Sequence, residues 1–68
     1  MMKISARNSF EGTITDIQKG TTTAHVVIDV KGTKVTASIT NEAVDELGLT
    51  VGKKANAFIK ASDVLVAA

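Results

Sequence analysis

The chain has 68 residues, no cysteine, one histidine, a formal net charge of +1, and 44% hydrophobic against 3% aromatic residues. That length allows one domain at most, residues 1–68. The absence of cysteine and the single histidine exclude disulfide and zinc staples, so support for so small a core has to come from association between chains. Interspersed charges and a nearly neutral balance exert no long-range pull on a polyanion. No apolar run approaches the ~20 residues of a membrane span, and Met1-Met2-Lys3-Ile4-Ser5 lacks the apolar core of a signal peptide. These features predict a soluble, cytoplasmic homo-oligomer with no membrane and no nucleic-acid partner.

In chain order, Ser9 to Ile17 has strand composition, with Phe10, Gly12, Ile14 and Asp16 on one face and Glu11, Thr13, Thr15 and Ile17 on the other. The alternation fails at Ile17, which predicts a bulge or a change of exposed face there, and Gly12 allows tight curvature. Gln18-Lys19-Gly20-Thr21 reads as a turn. Ala24, Val26, Ile28 and Val30 then alternate with polar residues as in a half-buried strand, with Val27 as the exception. Lys31-Gly32 reverses the chain into Thr33, Val35, Ala37 and Ile39, completing a β-hairpin.

Thr40 or Asn41 can cap a short helix, with Glu42 in its first turn and Gly48 as its stop. Ala43, Val44 and Leu47 form its apolar stripe, which leaves Asp45 and Glu46 for water. Leu49-Thr50-Val51-Gly52 is a connector. Lys53 to Ile59 is a strand with Ala55, Ala57 and Ile59 inward, and Lys60-Ala61-Ser62-Asp63 interrupts it. Val64-Leu65-Val66-Ala67-Ala68 follows as a last strand, apolar on both faces. Strand, hairpin, helix, strand, strand predicts a mainly β fold: a small five-stranded barrel of the oligonucleotide/oligosaccharide-binding type, the helix plugging one end. A flat open sheet is the alternative. A last strand apolar on both faces is awkward on an open monomer and is covered if subunits exchange or pair strands.

Two stretches carry hydrogen-bonding chemistry. Ser5-Ala6-Arg7-Asn8 precedes the first strand, and Lys60-Ala61-Ser62-Asp63 lies near the end. A tetrahedral dianion that leaves water needs directed donors and compensating charge. Arg7 offers a rigid fork of donors, Lys60 a point charge, and Ser5 and Ser62 hydroxyls. Ala6 and Ala61 are small enough for backbone N–H groups to approach an oxygen. The same letters also suit surface cations and turn serines, because no spacing code is involved.

Other chemistries find less support. His25 on a polar strand face suits an exposed or inter-subunit position better than a metal ligand, and one histidine without cysteine leaves little for a transition metal. Asp16, Asp29 and Asp63 form no magnesium motif. Ser5, Ser38, Ser62 and His25 show no spacing that predicts a nucleophile with its base, so no enzyme is expected. Single-stranded nucleic-acid binding, the alternative that a barrel invites, needs aromatic platforms and a basic groove. Here Phe10 and Phe58 are the only aromatics.

Ser5-Ala6-Arg7-Asn8 followed by an aromatic and Gly12, Thr40 at the end of Ala37-Ser38-Ile39-Thr40, Leu47-Gly48-Leu49, Val51-Gly52 and Ile59-Lys60-Ala61-Ser62-Asp63-Val64 together resemble the molbindins. These are small stand-alone molybdate- and tungstate-binding proteins, related to the sensor domains of molybdate-responsive regulators and to appendages of molybdate-transporter ATPases. The resemblance runs essentially end to end. It implies the barrel already inferred, with strands exchanged between subunits in a hexamer built as a trimer of dimers and oxyanions held at the interfaces. Carried over by residue, Ser5, Ala6, Arg7, Lys60, Ala61 and Ser62 come from one subunit and Thr40 from a neighbour. For a second class of site near the threefold axes, the candidates are Lys19, Gly20, Thr21 and His25. The implied ligand is molybdate or tungstate, and the implied role is storage or homeostasis inside the cell. No helix-turn-helix or nucleotide-binding loop occurs in the sequence.

Overall fold

The structure, a computed structural model that describes residues 7–68, is organised on one long strand, β1 (Asn8–Lys19). Around it lie β2 (Thr23–Val30), β3 (Thr33–Thr40), α1 (Asn41–Glu46) and β4 (Lys54–Ile59), followed by a single 3₁₀ turn at Ala61–Asp63. The sheet is antiparallel throughout, in the order β3-β2-β1-β4. β1 changes partner along its length. Its first half pairs with β4 from Asn8↔Ile59 to Thr13↔Lys54, and its second half pairs with β2 from Thr13↔Asp29 to Lys19↔Ala24.

A strand shared in this way curls the sheet into a half-barrel, and Gly12 permits the bend. A Cβ at Gly12 would collide with the Asp29 carbonyl oxygen and lie 2.7 Å from Cγ2 of Ile28. The predicted curvature at Gly12 is therefore present, and its cause is the close approach of β2.

The predicted irregularity of β1 is a bulge at Thr15, two residues before the position expected. Ile14 pairs with Ile28 and Asp16 with Val27, leaving Thr15 without an opposite number. The extra residue inverts the alternation, so Asp16 is exposed while Ile17 packs on the core. This corrects the expectation that Asp16 shares a face with Ile14. A regular strand would have turned the Asp16 carboxylate into the core and Ile17 into water, and both are unfavourable.

The core is Ile14, Ala24, Val26, Ile28 and Val44, flanked by Ile17, Val30, Ile39, Leu49, Ala55 and Ala57. The faces predicted for β2, β3 and β4 are those observed, except that Thr33, at the start of β3, is exposed. In the β2–β3 turn both Lys31 (φ 50°) and Gly32 (φ 91°) take positive φ, the two-residue connection whose twist suits a hairpin.

Thr40 caps α1, its hydroxyl accepting from Ala43 N–H at 3.0 Å. At the other end Gly48 N–H donates to Asp45 O and Leu49 N–H to Val44 O, the pair of bonds that closes a helix with a left-handed residue at Gly48 (φ 63°). Leu47 departs from its predicted inward place. As the C-cap it keeps helical dihedrals (φ −80°, ψ −8°) and its N–H bonds Ala43 O, yet the side chain is 62% exposed.

Within the single chain the sheet has four strands among the described residues, and the expected fifth does not pair in it. The 3₁₀ turn diverts the backbone after Ile59, and Val64–Ala68 lies outside the sheet with Leu65 95% and Val66 90% exposed. Among the described residues, no helix is long and apolar enough to cross a membrane.

Candidate functional site

The pairing of β1 with β4 brings together the two stretches singled out in the sequence. Asn8 is the first residue of β1 and Ile59 the last of β4, and they are Cα partners. The Asn8 side chain reinforces the pair, Nδ2 donating to Ile59 O at 3.0 Å. Arg7 and Lys60 are the next residues outward on adjacent strands, so both leave the sheet at one edge, and both are exposed. Ser5 and Ala6 lie outside the described residues.

Directly after Lys60 the chain tightens into the 3₁₀ turn, where Asp63 N–H donates to Lys60 O at 2.9 Å and Val64 N–H to Ala61 O at 3.3 Å. As the first residues of that turn, Ala61 and Ser62 carry backbone N–H groups that the turn itself cannot satisfy. The Ala61 methyl and the exposed Ser62 side chain leave these groups unscreened. One edge of the molecule thus gathers two cations, a hydroxyl and backbone donors, with little side-chain bulk.

Thr40 is not at this edge. It pairs with Thr23 at the end of β3, beside the Lys19 end of β1. The twelve residues of β1 separate the Asn8 end from the Lys19 end. Within one chain Thr40 does not join Arg7 and Lys60. Its hydroxyl oxygen is occupied as the cap of α1, which orients the group and leaves its proton free to be donated.

Lys19, Gly20 and His25 border one surface depression of about 250 Å³ together with Gln18 and Thr23; Thr21 is in the adjoining bend but does not line it. Gln18 and Lys19 belong to β1 rather than to the turn. The turn is held by α1. Asn41 donates twice, from its backbone N–H to Thr22 O and from Nδ2 to Gly20 O, each at 2.9 Å. Lys19 Nζ meets Asp45 Oδ1 at 2.7 Å.

The sequence reading gave no role to three of these residues. Asn8 was only part of a motif, Asn41 only a possible cap, and Asp45 only a solvated acid. The place of Asn8 next to Arg7 was the one signal available; the partners of Asn41 and Asp45 are 21 and 26 residues away.

Two other chemistries have their residues apart. Phe10 pairs opposite Ala57 and Phe58 opposite Ser9, so alternation sends the two rings to opposite faces and they form no common stacking platform within a chain. Among the described residues, no three His, Cys, Asp or Glu side chains gather as a cation site.

Comparison with known proteins agrees with this architecture. The TOBE domain family model matches residues 4–66. The chain is 48% identical over 66 residues to a probable molybdenum-pterin-binding protein of Haemophilus influenzae, covering 96% of each. It is 41% identical over 68 residues to molybdenum-pterin-binding protein 1 of Clostridium pasteurianum, covering 98% of this chain and all of that one. It is also 46% identical over 65 residues to the molybdenum transport protein ModE of Herbaspirillum seropedicae, where it covers 94% of itself but only 24% of that longer protein.

Among solved structures, a molybdate-binding protein from Sporomusa ovata superposes with a TM-score of 0.94 at 45% identity, over 98% of this chain and all of that one. The cytoplasmic molybdate-binding protein ModG, crystallised with molybdate bound, superposes at 0.89 with 45% identity, over 94% of this chain and 46% of that one. With a family match over nearly its whole length and full-length relatives above 40% identity, the chain belongs to the TOBE-domain family and groups with its small molybdenum-pterin-binding members.

Proposed function

We propose that this protein binds molybdate, and tungstate by the same chemistry, at a site built on Arg7, Lys60, Ala61 and Ser62, and that it serves as an intracellular store or buffer of the oxyanion without catalysing a reaction. The observation that supports this reading is the β1–β4 register, which pairs Asn8 with Ile59, the residues adjoining Arg7 and Lys60 in sequence. Ser5 and Ala6, which precede Arg7 in sequence, are assigned to the same site. Full-length relatives named for molybdenum-pterin binding, and the molybdate-bound neighbour, supply the ligand class.

The site is completed between subunits. Thr40, at the far end of the sheet in its own chain, contributes its free hydroxyl proton to the site of a neighbour. The tail supports assembly independently, since Leu65 and Val66 are almost fully exposed and a strand apolar on both faces is stable only when paired and covered. Val64–Ala68 acts as the fifth strand of another subunit's barrel, and the assembly is a hexamer arranged as a trimer of dimers. The Lys19–His25 depression is a second oxyanion site in that assembly. The whole of residues 1–68 acts as one binding domain in the cytoplasm.

Selection follows from size and protonation. A cavity fitted to molybdate leaves the smaller sulfate with long hydrogen bonds, and a site offering only donors has no acceptor for the proton of hydrogen phosphate. Binding to the folded state should stabilise the assembly by ~2.7 kcal/mol at a hundredfold excess over Kd for one independent site. Thermal unfolding with molybdate, tungstate and sulfate tests this. A rise in Tm with the first two and little with sulfate supports the reading; an equal rise with all three reduces the site to a generic anion pocket.

A further inference from the structure

The depression lined by Gln18, Lys19, Gly20, Thr23 and His25 has one permanent cation, Lys19, and that cation is already engaged. Its Nζ lies 2.7 Å from Asp45 Oδ1, with the two side chains 46% and 68% exposed. The contact is not an accident of two long side chains meeting in solvent. Asp45 is carried on α1, and α1 is tied to the turn that walls the depression by both Asn41 bonds, to Gly20 O and to Thr22 O.

We infer that Asp45 is an internal counter-ion for this pocket: it holds Lys19 when no ligand is bound, and an oxyanion has to take Lys19 from it. The inference rests on the pocket being the second oxyanion site proposed above. Asp45 then sets the affinity in two ways. It competes for the ammonium group, and its own negative charge opposes an approaching dianion. Because the pair is exposed, both effects are modest and screened by salt.

His25 gives a local reading of occupancy, since it lines the pocket and is the chain's single histidine. Its imidazole resonance, followed by NMR in the assembled protein during titration with sodium molybdate, reports this pocket separately from the Arg7 edge. Asp45→Asn keeps the backbone carbonyl that accepts from Gly48 and removes only the charge. It should tighten the His25 response by about two- to fivefold at low salt, the range expected of an exposed ion pair. Lys19→Gln should weaken the response, and in the Lys19→Gln background the gain from Asp45→Asn should shrink.

An Asp45→Asn variant with unchanged or weaker binding, or a gain equally large without Lys19, overturns the counter-ion role while leaving the pocket as a binding site. A His25 response that Lys19→Gln does not alter, or no response to molybdate at all, overturns the pocket reading and this inference with it.

Discussion

Asn8 and Ile59 are joined twice, as paired residues of β1 and β4 and through the 3.0 Å hydrogen bond from Asn8 Nδ2 to Ile59 O. The second bond fixes the edge from which Arg7 and Lys60 emerge. Asn8→Ala should cost about 0.5–1.5 kcal/mol of stability, the usual net worth of one hydrogen bond. It should also weaken molybdate binding, because the two cations then leave a frayed edge. Denaturation at fixed protomer concentration and a molybdate titration measure the two effects. Reduced stability with unchanged affinity would mean that the edge does not position the site.

Thr40 is assigned two tasks that different substitutions separate. Thr40→Ala removes the cap of α1 and should cost about 1 kcal/mol while lowering molybdate affinity. Thr40→Asp retains a capping oxygen, so most of the stability should be kept. It places a carboxylate where an oxyanion is received, and binding should fall further than with Ala. Equal affinity for the wild type and Thr40→Asp would remove Thr40 from the site.

Gly12 sits where β1 passes from β4 to β2, and a Cβ there would collide with the Asp29 carbonyl oxygen. Gly12→Ala should destabilise by about 1–3 kcal/mol, the range for overpacking, because a backbone carbonyl is what has to move. Thermal unfolding at matched concentration gives the value.

Lys31 adopts φ 50° in the β2–β3 turn, where a branched or long side chain has no conformational advantage and asparagine does. Lys31→Asn should therefore stabilise the protein, by up to about 1 kcal/mol, without altering molybdate affinity, since Lys31 belongs to neither candidate site. A higher denaturation midpoint with an unchanged titration is the expected result.

Most of the fold was readable from residue patterns because alternation, turn residues and caps act locally. Ala24 to Val30 and Thr33 to Ile39 announced the hairpin, and Thr40 with Gly48 bracketed α1. The bulge was legible as a fault near Ile17, but its place was not, because any extra residue between Ile14 and Ile17 restores the pattern and only the pairing with β2 selects Thr15. Leu47 was misplaced because helical periodicity was extended through a residue that ends the helix.

The tail was read as a strand from its composition. Pairing, however, depends on a partner, and a single chain provides none for Val64–Ala68. For the proposed site, the chemistry of Arg7 and Lys60 suited surface cations equally well and the family resemblance singled them out; the register pairs their neighbours Asn8 and Ile59. The Lys19–Asp45 contact and the ties from Asn41 were beyond reach because they join distant parts of the chain.

The central claim is that Arg7 and Lys60 form one molybdate site. Isothermal titration calorimetry of the wild type and of Arg7→Ala with sodium molybdate, beside sodium sulfate, tests it most directly. The predicted result is saturable molybdate binding by the wild type, little response to sulfate, and clearly weaker molybdate binding by an Arg7→Ala variant that remains folded and assembled. Molybdate affinity unchanged by Arg7→Ala, or no molybdate binding by the wild type, would contradict the account.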